Sequence, residues 1–252
     1  MSEIAFAGFQ EQGYRVSWAI TGSESAQVHA LRAEVFCREL GWVGSADDTV
    51  ERDEFDAGSV HVAVVDERSN VVAAVRLTGG DSPWMLDSVF RRLAGPGLVE
   101  KGPHTAEASR LVVARSSRAE RLLDGRRTCD LVYKGTYAYC VLKRIRHVYM
   151  VTSDVVLRHM LRTGLPCVAL APPTRMPDGV NALAVKLDWS QLSRSAALAY
   201  WYESGWRESL WCPDEAPRAP DGDVSHVRAL RLATRMPPRT NAADALVLRR
   251  AG

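Results

Sequence analysis

Two neighbouring apolar runs constrain the fold of this chain more than any other feature. Residues 60–66 and 71–77 are rich in β-branched side chains and are separated by the four polar residues ERSN. Runs of this length on either side of a polar turn are typical of two strands joined as a β-hairpin. Arg76 lies near the end of the second run. Because an unpaired buried charge is costly, we expect its side chain to face a cleft or the sheet edge.

Further strands and helices alternate on both sides of this hairpin. Hydrophobic spacing predicts strands at residues 14–20, 105–114, 148–152, 167–171 and 180–187. It predicts helices from Ser23, as N-cap, to about residue 40, and then at residues 84–93, 130–146, 153–162 and 190–202. A mixed sheet with helices on both faces indicates an α/β fold of three layers, α/β/α.

Composition limits the class of protein. The 252 residues are 46% hydrophobic and 25% charged, with a net charge of +2, which is ordinary for a globular domain. No apolar run is long enough to cross a bilayer, and the first residues lack the form of a signal peptide, so we expect a cytoplasmic protein without membrane or nucleic-acid partners. The five cysteines and six histidines are dispersed without motif spacing. This predicts no disulfide framework and no metal centre, with Cys37 and Cys140 in the core.

Residues 31–56 combine aromatic, basic and acidic side chains. Arg32 and Phe36 are four residues apart on a predicted helix and share a face, and Trp42 follows. Asp53 and Asp56 then close an acidic loop. Arginine binds carboxylates, aspartate binds ammonium groups, and aromatic faces bind cations, so the segment is consistent with a pocket for a small zwitterion. The alternative is an amphipathic helix followed by a solvated acidic loop.

A second charged group lies in the predicted strand 105–114. Glu107 and Arg110 are three residues apart, which places them on opposite faces unless a bulge intervenes. One of the two would then face the cleft and the other a neighbouring element. The alternative is that Glu107 and Arg110 form a plain structural salt bridge with each other. The basic segment 115–127 and the basic end of the helix at residues 143–147 predict a surface for an acidic partner, although helix-dipole effects explain part of the second group.

The complete set of residues resembles the LuxI-type autoinducer synthases, which are acyl-homoserine lactone synthases. The resemblance lies in RxxxF on the first helix, GW after it, DxFD in the loop, an arginine ending the hairpin, and ExxR in the sequence EASR. Phe90 and the segment PDGVNALAV match as well, and the likeness covers about residues 14–190. The resemblance implies a fold like the GNAT acyltransferases over residues 1–205. Residues 206–252 would then be a loosely packed C-terminal extension.

The family chemistry implied by this resemblance is acylation of the amine of S-adenosylmethionine by an acyl thioester, followed by lactonisation and release of methylthioadenosine. S-adenosylmethionine would be a substrate, with no cofactor, and the acyl donor would be acyl carrier protein or acyl-coenzyme A. The phosphopantetheine arm would enter between splayed strands 105–114 and 148–152. The implied residues are Glu107 and Arg110 for catalysis; Arg32, Phe36, Trp42, Asp53, Asp56 and Arg76 for S-adenosylmethionine; and Phe90 and Thr152 for the acyl chain.

Two other functions stay open at this point. The strand SVHVAVVD, with His61, also resembles the N-acyl amino acid synthases, which share the fold but use an amino acid in place of S-adenosylmethionine. A non-catalytic sensor that binds an acyl or adenosyl ligand is the third possibility.

Overall fold

A mixed sheet forms the middle layer of the fold. The computed structural model describes residues 8–95, 97 and 99–192. All but the first three residues of the predicted helix 190–202, and the whole of the extension 206–252, therefore lie outside the described residues. Within them, nine strands follow the order β1-β2-β3-β4-β5-β6-β9-β7, with β8 beside β9. The strands are β1 (Gly8–Glu11), β2 (Tyr14–Ser17), β3 (Ser59–Val65), β4 (Val71–Gly79), β5 (Thr105–Val113), β6 (His147–Ser153), β7 (Cys167–Ala169), β8 (Thr174–Arg175) and β9 (Asn181–Asp188).

Helices cover both faces of this sheet, as the sequence predicted. The α-helices of the described part are α1 (Gly22–Arg32), α2 (Thr128–Lys143) and α3 (Asp154–Arg162). Alternate residues of β3 show the two faces, because Val62 and Val64 pack with α2 while Ala63 and Val65 pack with α1. Met160 of α3 packs in the same apolar cluster as residues of α2, on one face of β6 and β9. A second cluster, around Trp84, covers the opposite face of these two strands. The three-layer α/β/α prediction is confirmed.

The predicted hairpin is present as β3 and β4. The strands pair antiparallel, with Val62 opposite Val75 and Ala63 opposite Ala74. Asp66 closes the connection, since its Oδ1 accepts hydrogen bonds from the backbone N–H groups of residues 68 and 70 at 2.9 and 2.8 Å. The hairpin is therefore specified locally, by the apolar runs and by the turn between them.

The first helix differs from its prediction at both ends. Its N-cap is Thr21 and not Ser23, because Thr21 and Glu24 form a reciprocal capping box. After Arg32 the chain continues as a π-helix, Ala33–Glu39, where an α-helix to residue 40 was predicted. The hydrophobic period predicts a helix here but cannot separate an α-turn from a π-turn.

Two other predictions are wrong in detail. Residues 84–93 form two short 3₁₀ turns, Met85–Asp87 and Arg91–Leu93, instead of the predicted helix, and the backbone N–H groups at the start of the first turn bond to a carboxylate of the sheet. Strand β2 ends at Ser17, three residues before its predicted end, and β1 pairs with it although no strand was predicted there.

The two central parallel strands diverge. Strand β5 pairs with β6 from Thr105 opposite His147 to Ala108 opposite Met150, and the pairing stops there. Beyond this point β5 continues beside β4, and β6 continues beside β9 as far as Ser153. The predicted splay between these strands is present, and it opens a gap in the middle of the sheet.

Candidate active site

Three arginines and three carboxylates form one connected, largely buried group at the end of the hairpin. The arginines come from α1, β4 and β5, and the carboxylates come from the loop between α1 and β3. We call this group the arginine–carboxylate network; its members are Arg32, Arg76, Arg110, Glu51, Asp53 and Asp56. The opposite charges are equal in number, so the network is neutral as a whole, which makes its burial tolerable.

Arg32 and Arg76 are the fully buried members, each with 0% exposure. Arg32 donates from Nε to Glu51 and from Nη1 to Asp56 Oδ1 at 2.6 Å. Arg76 donates from Nη1 to Asp53 and, at 2.9 Å, to Asp56 Oδ1. The prediction that Arg76 faces a cleft or edge is therefore wrong, because its charge is paired inside the protein rather than hydrated.

The acidic loop is held in shape by its own backbone. Asp53 Oδ1 accepts a hydrogen bond from the N–H of Phe55 at 3.0 Å, and Asp56 Oδ2 accepts one from the N–H of Asp53 at 2.9 Å. Burial alone would raise the pKa of Asp56, but the hydrogen bonds from Arg32 and from the Asp53 backbone outweigh it and hold that pKa well below its usual range. Asp56 therefore stays ionised at neutral pH.

Two histidines that the sequence did not assign to a site contact this network. His61 Nε2 lies 3.2 Å from Arg32 Nη1, and burial together with the Arg32 charge lowers the pKa of His61 to about 4. His61 is therefore neutral and accepts the hydrogen bond from Arg32. His29 Nδ1 lies 3.0 Å from the carbonyl oxygen of Glu51. Neither Glu51 nor His29 carried a distinguishing signal, since Glu51 is one of several acids in the loop.

A β-bulge in β5 brings Arg110 to the network. Ala74 pairs with Val112 and Arg76 with Ser109, so two residues of β5 lie opposite one residue of β4. Arg110 adopts a left-handed backbone conformation with φ of 55°. Its Nη2 lies 2.8 Å from Asp53 Oδ2 and 3.0 Å from Glu51 Oε1.

Glu107 lies on the same side as Arg110 because of this bulge, and both contact Met85. The carboxylate of Glu107 accepts the backbone N–H groups of Met85 and Leu86, each at 2.8 Å. The ion partners of Arg110 are Glu51 and Asp53, as described above, rather than Glu107. Burial raises the pKa of Glu107, although these two N–H groups act in the opposite direction. A carboxyl group with a raised pKa is suited to accept a proton near neutral pH.

The predicted aromatic residues lie at the open side of the network. Phe36 packs beneath the guanidinium group of Arg110, with 5.3 Å between the ring centroid and Cζ. Trp42 stacks on Phe36 with ring centroids 6.0 Å apart, and 46% of Trp42 is exposed. The π-helix sets this arrangement, since the N–H of Trp42 bonds to the carbonyl of Phe36 at 2.8 Å.

A mainly apolar cavity occupies the gap between β5 and β6. Its empty volume is about 590 Å³, part of it open to solvent. Ser109, Arg110 and Thr152 line it together with apolar residues that include Met150, Met160 and Trp189. Phe90, the other predicted acyl-chain residue, packs in the separate cluster around Trp84 instead.

The basic segment is less free than the sequence suggested. Arg118 pairs with Glu39 at 2.6 Å, Arg126 pairs with Asp124 and Glu11, and Arg146 bonds to Ser190 Oγ at 3.0 Å. Exposed basic side chains of these segments are Arg115, Arg121, Lys143 and Arg144. Cys37 and Cys140 are buried in the core, as predicted. Among the described residues, no helix is long and apolar enough to cross a membrane.

Comparison with known proteins identifies the family of this chain. A family model described as autoinducer synthase matches residues 19–197. An acyl-homoserine-lactone synthase of Aliivibrio fischeri is 29% identical over 150 residues, which cover 59% of this chain and 77% of that protein. One from Pseudomonas aeruginosa is 27% identical over 167 residues, which cover 64% and 81%.

Solved structures show the same fold. The acyl-homoserine-lactone synthase LasI has a TM-score of 0.62 at 21% identity, covering 75% of this chain and 93% of its own. The coenzyme A-dependent synthase BjaI, with S-adenosylmethionine and isopentyl-coenzyme A, has a TM-score of 0.63 at 20% identity, covering 83% and 92%. The N-acyl amino acid synthase FeeM, from uncultured soil microbes, has a TM-score of 0.52 at 12% identity, covering 74% and 95%.

The fold and the family match together define the class of this protein. It belongs to the autoinducer synthase family, over most of the described residues. Its activity is that of an acyl-homoserine-lactone synthase, so the predicted family, the mixed α/β fold and the enzyme class are confirmed.

Proposed function

We propose that the arginine–carboxylate network and the cavity between β5 and β6 are two halves of one active site. The network side would bind S-adenosylmethionine, and the cavity would bind the acyl chain of a thioester donor. The observation that carries this proposal is the position of Arg110, which forms ion pairs with Glu51 and Asp53 and also lines the cavity. An amine bound near the carboxylates and a thioester carbonyl at the cavity mouth would therefore meet beside one side chain.

The donor would enter the gap in the sheet. No strand lies between β5 and β6 beyond Ala108 and Met150 in the described residues, so their facing backbone groups are available to an extended pantetheine arm. The synthase BjaI, which has the same fold, was solved with isopentyl-coenzyme A, and this supports a coenzyme A-linked chain as a ligand of such a fold.

S-adenosylmethionine would lie against the exposed edge of the network. Trp42, which is 46% exposed, offers an aromatic face for the sulfonium or the adenine, and Arg110 offers a guanidinium for the carboxylate. Phe36 is buried and supports both, because it packs against Arg110 and Trp42. Arg32 and Arg76 have no exposed surface, so we assign them a positioning role in place of direct binding. They keep Asp53 and Asp56 in place, with 17% and 15% of these side chains exposed.

The chemistry needs a base and no covalent enzyme intermediate. The amine of S-adenosylmethionine is an ammonium at neutral pH, and Glu107, which is only 2% exposed, would accept its proton through water. The amine then attacks the thioester carbonyl, the carbon–sulfur bond breaks, and the thiol leaves with a proton. The substrate carboxylate finally attacks the carbon next to the sulfonium, which closes the lactone and releases methylthioadenosine.

One incubation tests this proposal against its alternatives. The protein is mixed with S-adenosylmethionine, amino acids and a panel of acyl thioesters, and the products are identified by mass spectrometry. We expect acyl-homoserine lactone together with an equal amount of methylthioadenosine. An N-acyl amino acid without methylthioadenosine would indicate an N-acyl amino acid synthase, and no turnover would indicate a ligand sensor.

A matched pair of variants places the reaction at Arg110. Arg110→Ala should lose most of the turnover, because it removes the residue shared by the two halves. Arg121→Ala, at an exposed arginine outside the network, should keep it. Equal activity of the two variants would contradict the proposed site.

A further inference from the structure

A cysteine, an aspartate and a histidine meet outside the site described above. Cys129 and Asp130 lie in the first turn of α2, and His159 lies on α3. Cys129 Sγ is 3.5 Å from His159 Nε2 and 3.7 Å from Asp130 Oδ1, and His159 Nε2 is 3.1 Å from Asp130 Oδ1. Three different metal-ligand atoms thus face one another.

We propose that Cys129, Asp130 and His159 form a binding site for a transition metal of the zinc class. Zinc binds these three residue types at about 2.3 Å for sulfur and about 2.0–2.2 Å for nitrogen and oxygen. In a tetrahedral site, such bonds place sulfur about 3.5 Å from nitrogen or oxygen, and nitrogen about 3.3 Å from oxygen. The three observed separations agree with these edges to within about 0.3 Å.

The way the three side chains meet favours a metal over a nucleophilic triad. In a triad, the histidine uses one ring nitrogen for the nucleophile and the other for the carboxylate. Here the same nitrogen, His159 Nε2, faces both Cys129 and Asp130. One nitrogen that faces both a sulfur and an oxygen matches three ligands around one cation, and it lacks the two-nitrogen geometry of a triad.

The local charges also fit a divalent cation. A thiolate, a carboxylate and a neutral imidazole neutralise a 2+ ion, so a largely buried site would carry no net charge. Asp130 is oriented independently, because its Oδ2 accepts the backbone N–H of Arg127 at 2.8 Å. Oδ1 is left on the side that faces Cys129 and His159. The fourth coordination position would hold water.

The position in the fold gives the site a role in acyl-chain binding. Tyr133 of α2 and Met160 of α3 both line the cavity, and each lies close in sequence to a ligand of the proposed site. The rings of Tyr133 and His159 are 6.1 Å apart. A bound metal would tie α2 to α3, and so hold in place the two helices that contribute Tyr133 and Met160 to the cavity wall.

Cobalt substitution tests the site directly. The full-length protein, reduced and stripped of metal, is titrated with Co²⁺ and then with Zn²⁺. We expect a thiolate-to-cobalt charge-transfer band with the visible bands of four-coordinate Co²⁺, both lost when Zn²⁺ displaces the ion. Zn²⁺ should also raise the Tm of the wild type, since it binds the folded state.

Variants decide which residues hold the metal. Cys129→Ser should lose the charge-transfer band, and His159→Gln should bind Zn²⁺ at least about tenfold more weakly. Cys37→Ser and Cys212→Ser should keep the band. Circular dichroism without metal checks folding, and His159→Gln decides the matter if Cys129→Ser does not fold. A wild type without the band, or a band that persists in Cys129→Ser, would overturn the proposal and leave a hydrogen-bonded cluster only.

Discussion

At the scale of single residues, Asp56 shows how strongly the arginine–carboxylate network favours the ionised form of a carboxyl group. Its pKa is depressed in the folded state, so it contributes stability above the unfolded pKa of about 4 and loses that contribution as pH falls further. We predict that Asp56→Asn lowers the free energy of unfolding by about 3–5 kcal/mol near pH 7, because two buried arginines lose a partner. Denaturant titration should show the difference from wild type narrowing below about pH 4.

The exposed neighbour Glu54 supplies the control for this prediction. Glu54 lies in the same turn as Asp56 but is exposed. Glu54→Gln should therefore change the free energy of unfolding little at any pH. A difference between wild type and Asp56→Asn that is independent of pH would contradict the prediction.

Glu107 is the residue whose protonation should control the rate. A base acts only when it is ionised, so turnover should rise with pH as Glu107 loses its proton. Because burial raises the pKa of Glu107, this rise in the pH–rate profile should lie above the ordinary glutamate pKa of about 4.3. Glu107→Gln should lose most of the turnover and this rise. The measurement is kcat as a function of pH with saturating substrates. If the variant keeps the wild-type profile, Glu107 only positions the Met85–Leu86 backbone.

Thr152 tests acyl selection within the cavity. Its hydroxyl group lies in a mainly apolar wall, where a keto oxygen on the third carbon of the acyl chain could bond to it. Thr152→Val should shift preference from 3-oxo toward unsubstituted donors by about 1–3 kcal/mol, measured by competition between paired donors of equal length. Thr174→Val, on β8 and not in the cavity wall, is the control. An unchanged product ratio would make Thr152 a core strand residue only.

At the scale of elements, the close contact of α2 with the sheet depends on Gly135. A Cβ atom at this position would lie 2.6 Å from Val16 Cγ1 and 2.7 Å from Val62 Cγ1. Gly135→Ala should therefore destabilise the protein by about 1–3 kcal/mol, although alanine favours a helix. Gly22→Ala meets no atom within 4 Å and should be neutral or slightly stabilising. Urea unfolding compares the two, and equal stabilities would contradict this packing.

The elements also show what the sequence could predict. The β3–β4 hairpin followed from local pattern, because its strands and turn are specified within twenty residues. The β5 bulge, the π-helix and the 3₁₀ turns depend on contacts between distant segments, such as Glu107 with Met85. The family motifs identified Arg32 and Arg110, whereas Glu51 and His29 joined the site only through the fold. Cys129 and His159 are thirty residues apart, and no spacing motif links them.

At the scale of the whole molecule, the distribution of charge bears on the acyl donor. The net charge is only +2, but the exposed cations Arg115, Lys143 and Arg144 are available to an acidic carrier. If acyl carrier protein is the donor, its apparent KM should rise steeply with salt, while that of a coenzyme A thioester with the same chain should change much less. Equal salt responses, or a marked preference for coenzyme A, would contradict carrier docking here.

A charge-matched variant sharpens this experiment. Replacing Lys143 and Arg144 by glutamine should weaken carrier use and reduce its salt dependence. Replacing Arg91 and Arg92, which are exposed on another segment, removes the same amount of charge. This control should leave carrier use and its salt dependence unchanged.

The arginine–carboxylate network has a consequence for how this chain can change over generations. Each member is paired with two others contributed by different segments, so neutralising any one of them removes a partner from two charges and leaves the largely buried group with a net charge. Breaking such a pair costs about 3–5 kcal/mol, whereas exchanging a whole pair for apolar residues can be nearly neutral. Single mutational steps at these positions are therefore penalised by the loss of stability alone. Related lineages should alter these positions jointly or keep them, whatever substrate they come to prefer.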